Sequence, residues 1–113
     1  MTVPSTLFVA SFDVAPEHQA AFERWYAETH IPDALGIPGF RAVHRYVSGG
    51  DVDNAAGAAR YLNLYDVTSP EAFRSGWDTD YRRASSADFN RWGHALSNAN
   101  VGLYVSPGEQ GDG

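Results

Sequence analysis

The sequence has no cysteine and no lysine. Without thiols it has no disulfide, no thiolate nucleophile and no cysteine ligands for an iron–sulfur cluster, and without a lysine amine it forms no Schiff base with a carbonyl substrate. Basic side chains are scarce: eight, all arginine, stand against fourteen acidic ones, for a formal charge of -6. Such a surface repels phosphates, so neither nucleic acid nor anionic membrane is an expected partner. No apolar run approaches the roughly 18 residues that span a bilayer, and the Met1 to Ser5 start lacks the basic region and apolar stretch of a signal peptide. The expectation is a cytoplasmic protein. There is no G-x-S-x-G elbow, no glycine loop for a dinucleotide or phosphate, and no histidine pair at metal-ligand spacing. Asp51-Val52-Asp53-Asn54 starts like a calcium loop, but Ala55 takes the third ligand position and no acid closes the motif, so it reads as a polar hairpin tip.

What the chain does have is 43% hydrophobic and 13% aromatic residues in a length of 113, enough for one packed core. Residues 1–106 read as a single domain and 107–113 as a flexible tail. Thr6 to Asp13 alternates as a strand, with Phe8, Ala10 and Phe12 on one face and Leu7, Val9 and Ser11 on the other. After Pro16, the residues Phe22, Tyr26 and His30 recur at helical spacing, which predicts an amphipathic helix. It should stop near His30 or Ile31, because Pro32 disfavours the helical region for the residue before it. Pro38-Gly39 then turns the chain into a strand over 40–48, and a Gly-rich connection leads to a third strand over 60–68. Ser69 and Pro70 open a second helical region carrying Phe73 and Trp77. A further helical piece over about 86–97 places Phe89, Trp92 and Leu96 on one stripe, and 99–106 forms the last strand.

The order βαββαβ predicts a ferredoxin-like α+β fold, a four-stranded antiparallel sheet with its helices on one face. On this reading the other face carries Tyr61, Asn63 and Tyr65, with His44 and Tyr46 beside them. A second sheet packed against it, in a homodimer, would cover those aromatics and enclose a cavity in each subunit.

Several segments together resemble a known pattern. Phe22-Glu23-Arg24-Trp25-Tyr26, Glu28-Thr29-His30-Ile31-Pro32, Ile37-Pro38-Gly39-Phe40, Arg45-Tyr46 and Arg60-Tyr61-Leu62 are similar to the WY-x-x-x-H-x-P, PGF, RY and YL-x-L-Y succession of dimeric α/β-barrel proteins, in particular the EthD-like branch. The resemblance implies a ferredoxin-like subunit, dimerisation through the sheet and a small-molecule cavity. It implies less about reaction, since relatives include polyketide cyclases, decarboxylases, lactone isomerases, cofactor-free monooxygenases and haem proteins.

Each candidate residue has a structural reading beside the functional one. His30 is either a helix-capping imidazole or an acid–base group at the cavity, and it matches the histidine of the pattern. His44 is either a solvated strand histidine or a neutral base poised near cellular pH. Arg45 either pairs with an acid or binds a carboxylate, phenolate or enolate through its fork of donors. Strict alternation allows only one of His44 and Arg45 into the site unless a bulge intervenes. Tyr26, Tyr46, Tyr61, Asn63 and Tyr65 are packing groups or donors to a ligand oxygen, and Trp77 and Trp92 are core or an aromatic lid. His18 and His94 read as surface residues.

The leading expectation is a homodimeric enzyme for a small hydrophobic, aromatic or polyketide-like molecule. It would use cofactor-independent acid–base chemistry for cyclisation, isomerisation or decarboxylation, with His30 or His44 moving the proton and Tyr65, Asn63 and Arg45 holding the oxygen. The alternatives are a cofactor-free or haem-linked monooxygenase and a non-catalytic protein that binds a hydrophobic ligand. No metal or organic cofactor is expected, and haem stays open because one histidine suffices as its axial ligand.

Overall fold

A computed structural model describes residues 4–48 and 58–108. The Asp51 to Asn54 hairpin tip and the tail beyond Gly108 lie outside them. Four strands, β1 (Thr6–Val14), β2 (Phe40–Val47), β3 (Tyr61–Val67) and β4 (Leu96–Val105), pair antiparallel in the order β2-β3-β1-β4. The helices pack on one face of this sheet, as the βαββαβ order predicts. Among the described residues no helix is long and apolar enough to cross a membrane.

Register decides which side chains meet the helices, because residues directly opposite in an antiparallel pair share a face. Phe8 lies opposite Tyr65, Ala10 opposite Asn63 and Phe12 opposite Tyr61. Tyr61, Asn63 and Tyr65 are therefore buried beneath the helices, at 3% exposure or less, and not on the open face. This reverses the expected orientation of β3. The open face instead carries Leu7, Val9, Leu62 and Leu64, the last two on the β3 face that alternation turned toward the helices. Polar aromatics go inward here because each polar end finds a partner: Gln19 donates to the Tyr61 hydroxyl at 2.5 Å and Asn63 to the Ala10 carbonyl at 3.1 Å.

A second irregularity sets the orientation of β2. Phe40 pairs with Val67, but Ala42 pairs with Asp66, so one extra residue bulges between them. The bulge shifts parity, keeping Phe40 inward while sending Val43 and Arg45 inward as well. His44 and Tyr46 consequently leave the Phe40 face and point to the open side, opposite Leu64 and Leu62.

After a single 3-10 turn at Pro16–His18, α1 (Gln19–Trp25) runs through a π turn (Tyr26–His30) into α2 (Ile31–Leu35). The helix thus passes the expected stop. Ile31 keeps helical angles of φ -61° and ψ -50°, and its N–H bonds to the Tyr26 carbonyl five residues back. In an α turn the Pro32 ring would strike the carbonyl four residues earlier, and the wider π turn gives it room. Ile37 to Phe40 form a tight turn, closed by Phe40 N–H to the Ile37 carbonyl at 3.1 Å, with Gly39 at φ +92° where a side chain would be strained. α3 (Pro70–Trp77) starts on Ser69, whose hydroxyl accepts from Ala72 N–H at 3.0 Å. α4 (Asp80–Asn90) starts six residues before the expected Ser86 because Thr79 caps it in the same way. It also ends sooner, so Trp92 lies in a turn and Leu96 opens β4.

Candidate functional site

Between the inward sheet face and the helices lies a cavity of about 280 Å³. Phe8 and Phe12 of β1, Phe40 of β2 and Tyr65 of β3 form its sheet side. Tyr26 and His30 enter from the π turn, Trp77 from the end of α3 and Phe89 from α4. Four residues apart, Tyr26 and His30 share one face of the turn, with ring centroids 4.8 Å apart and both facing the cavity. The remaining polar lining is neutral, from Ser11 on β1, Ser85, Ser86 and Asn90 on α4 and Asn100 on β4. Among the described residues no arginine, aspartate or glutamate lines the space.

His30 sits among Trp25, Tyr26 and Phe89, with centroid distances of 5.3, 4.8 and 5.1 Å. Burial in this apolar setting lowers its pKa from 6.5 to about 4; Asp88 pulls the other way, and the Arg45 charge adds to the lowering. The imidazole is neutral at cellular pH, and no described residue hydrogen-bonds to either ring nitrogen. Beside it, the Tyr26 and Tyr65 hydroxyls share a hydrogen bond. Burial raises the pKa of both phenols, to about 12 for Tyr65 and further for Tyr26, so both keep their protons. One O–H is used within the pair. The other proton is left to a ligand.

Behind Tyr26 lies a polar cluster. Arg45 Nε donates to Asn63 Oδ1 at 2.8 Å, and its two terminal nitrogens donate to the Glu23 carboxylate at 3.0 and 2.8 Å. Its Cζ stands 4.2 Å from the centroid of the Tyr26 ring.

Of the residues singled out in the sequence, Tyr26, His30, Tyr65 and Trp77 meet at the cavity. Arg45 and Asn63 stand behind it. Tyr61 packs on Phe12 with its centroid 6.0 Å away, outside the lining. His44 and Tyr46 are exposed on the open face, excluded by the bulge in β2. Trp92 packs edge-on against Phe22 at 5.4 Å and does not reach the cavity. His94 is exposed and His18 partly so, their rings 5.0 Å apart. Sequence reasoning missed Phe8, Phe40 and Phe89 as cavity walls, although Phe8 and Phe89 were each placed on an apolar face, and it missed Glu23, which sits on the polar side of its helix. Among the described residues no group of three or more His, Cys, Asp or Glu side chains is placed to hold a metal ion.

No family model matches the chain, and no curated protein matches it. Solved structures do. An EthD family protein from Bacillus halodurans is 21% identical, with 93% of this chain and 97% of that one covered and a TM-score of 0.63. SnoaB, a cofactor-independent oxygenase from Streptomyces nogalater, is 22% identical, with 95% and 97% covered and a TM-score of 0.63. A dimeric ferredoxin-like protein of unknown function from Thermobifida fusca is 16% identical, with 88% and 89% covered and a TM-score of 0.58. At these identities the likeness is one of architecture, and the chain has a ferredoxin-like fold.

Proposed function

We propose that the protein is a homodimeric enzyme that takes a flat, uncharged aromatic or polyketide-like molecule into the cavity and removes a proton from it without an organic cofactor. The observation that carries this reading is His30: a neutral imidazole, unbonded, facing an apolar cavity next to a phenolic donor. A ring nitrogen takes the proton of an acidic C–H or O–H, the electron pair moves onto the ligand oxygen, and the spare O–H of the tyrosine pair meets that oxygen. Return of the proton to another carbon gives isomerisation; attack of the enolate carbon on a second carbonyl gives cyclisation. Decarboxylation fits less well, because a buried carboxylate would find no cation in the lining. The same absence bears on haem: His30 has the chemistry of an axial ligand, but the two haem carboxylates would go unmatched. The cavity volume lies near the lower end of the roughly 300–1,000 Å³ of small-molecule sites, which favours one- or two-ring ligands.

A second reading is oxygenation. SnoaB is a cofactor-independent oxygenase on the same fold, and a deprotonated, electron-rich ring is what dioxygen needs in order to react directly. The homodimer is supported by the apolar open face and by the dimeric Thermobifida fusca protein.

An α-tetralone-type ketone in deuterated buffer under argon tests the common first step. Catalysed exchange of its α-protons, lost by about 100-fold or more in His30→Ala, is expected. Saturable binding without exchange would make the protein a ligand carrier, and a product formed only in air would select the oxygenase.

A further inference from the structure

The geometry points to Arg45 as a positioning residue that acts on the cavity through the Tyr26 ring, holding a fixed positive charge behind the tyrosine pair without touching the ligand. This deepens, and rests on, the acid–base reading above.

Arg45 is absent from the cavity lining, yet it stands on the inward side of β2 against the wall that Tyr26 forms. All three guanidinium nitrogens are committed, Nε to Asn63 and the other two to Glu23. Asn63 is fully buried and is fixed in turn by its bond to the Ala10 carbonyl. A guanidinium clamped on three nitrogens does not swing out to meet a ligand. Its charge becomes part of the wall, preorganised before any ligand arrives.

An arginine kept for packing alone would have its charge cancelled by its carboxylate. Here the cancellation is incomplete. The Glu23 side chain is 33% exposed and that of Arg45 22%, so water screens the carboxylate more than the guanidinium, and the cation is the charge that faces the ring. Its field lowers the proton affinity of Tyr26, Tyr65 and His30 alike, while Glu23 opposes it at Tyr26 and Asp88 on α4 opposes it at His30. At His30 that field keeps the imidazole unprotonated but weakens it as a base, whereas at the ligand oxygen it favours the anion. The imidazole stays free to accept a proton, and an oxygen that becomes negative on the spare tyrosine O–H gains more than a neutral one does. That difference between the two states is what accelerates a reaction.

The test uses 4-nitrophenol, whose neutral and anionic forms absorb differently, titrated when bound to the wild-type protein and to three variants. Arg45→Met should raise the pKa of the bound probe by about half to one unit relative to wild type. Glu23→Gln, which keeps the guanidinium and an amide acceptor, should lower it. Arg45→Lys should recover part of the Arg45→Met shift, since it returns the charge without the clamp. Opposite signs are the signature, because loosened packing would move both variants in the same direction. Unchanged values, or shifts of one sign, in variants whose melting curves show them folded would overturn the inference. If Arg45→Met fails to fold, the sign of the Glu23→Gln shift decides alone. A wild-type protein that does not bind the probe overturns the cavity reading together with this inference, whereas opposite shifts without deuterium exchange would leave Arg45 in its role and reject the acid–base reading.

Discussion

A neutral imidazole enclosed by aromatic rings leaves a mark on stability as well as on chemistry. In the unfolded chain His30 takes up its proton near pH 6.5, and in the folded protein only near pH 4, chiefly because burial penalises the cation. Between those values the unfolded state binds more protons. The stability tied to this group is therefore complete above pH 6.5 and is lost as the pH falls toward 4, with a slope of at most about 1.4 kcal/mol per pH unit. Urea midpoints measured from pH 7 down to 4 should fall more steeply for the wild type than for His30→Phe. Parallel curves would mean that the imidazole is not held neutral.

At the scale of elements, α3 is seated on the turn that precedes β2. A Cβ on Gly76 would lie 2.1 Å from the Pro38 carbonyl oxygen, a backbone atom with nowhere to go, and one on Gly39 would meet Ala72 one helical turn earlier at 3.0 Å. Gly76→Ala should destabilise the fold by about 1–3 kcal/mol through overpacking, despite the better helix propensity of alanine. A calorimetric melting temperature lower by several degrees is the expected reading, and an unchanged one would mean that α3 does not rest on this turn. The variant would also displace Trp77, which α3 carries into the cavity wall against Phe8, with ring centroids 4.9 Å apart.

The same elements show what could be read in advance. The succession of strands and helices, the Ser69 cap and the Tyr26 to His30 stripe were legible because period, cap chemistry and turn residues are local signals. The inward face of β3 was not, since Tyr61, Asn63 and Tyr65 look solvent-loving until Gln19, Arg45 and Tyr26 are known to satisfy them. A one-residue bulge in β2 likewise leaves no mark in the alternation of Phe40 to Val47, yet it decides that Arg45 and not His44 lies on the cavity side. The start of α4 was a different case: Thr79 before Asp80 is a cap signal, but the apolar stripe around Phe89 and Trp92 outweighed it.

For the whole molecule, the open sheet face sets the next expectation. Leu62 is 38% exposed in the single chain, and Tyr46 and Tyr104 are 55% and 62% exposed. Leu62→Glu should cost the isolated subunit little, but it would bury a charge if two such faces meet. Light scattering should find the wild type at twice the chain mass of 12.3 kDa and the variant at that mass itself; a wild-type monomer would refute the paired-sheet arrangement. Cavity and open face are the two sides of one pleated layer, and along β1 they divide by parity: Phe8, Ala10 and Phe12 belong to one, Leu7 and Val9 to the other. Ligand preference and self-association can therefore drift independently, position by position, under mutation. A single-residue deletion within β1 would turn every position on one side of it to the opposite face, and so disturb both properties at once, which makes this strand intolerant of a change in length.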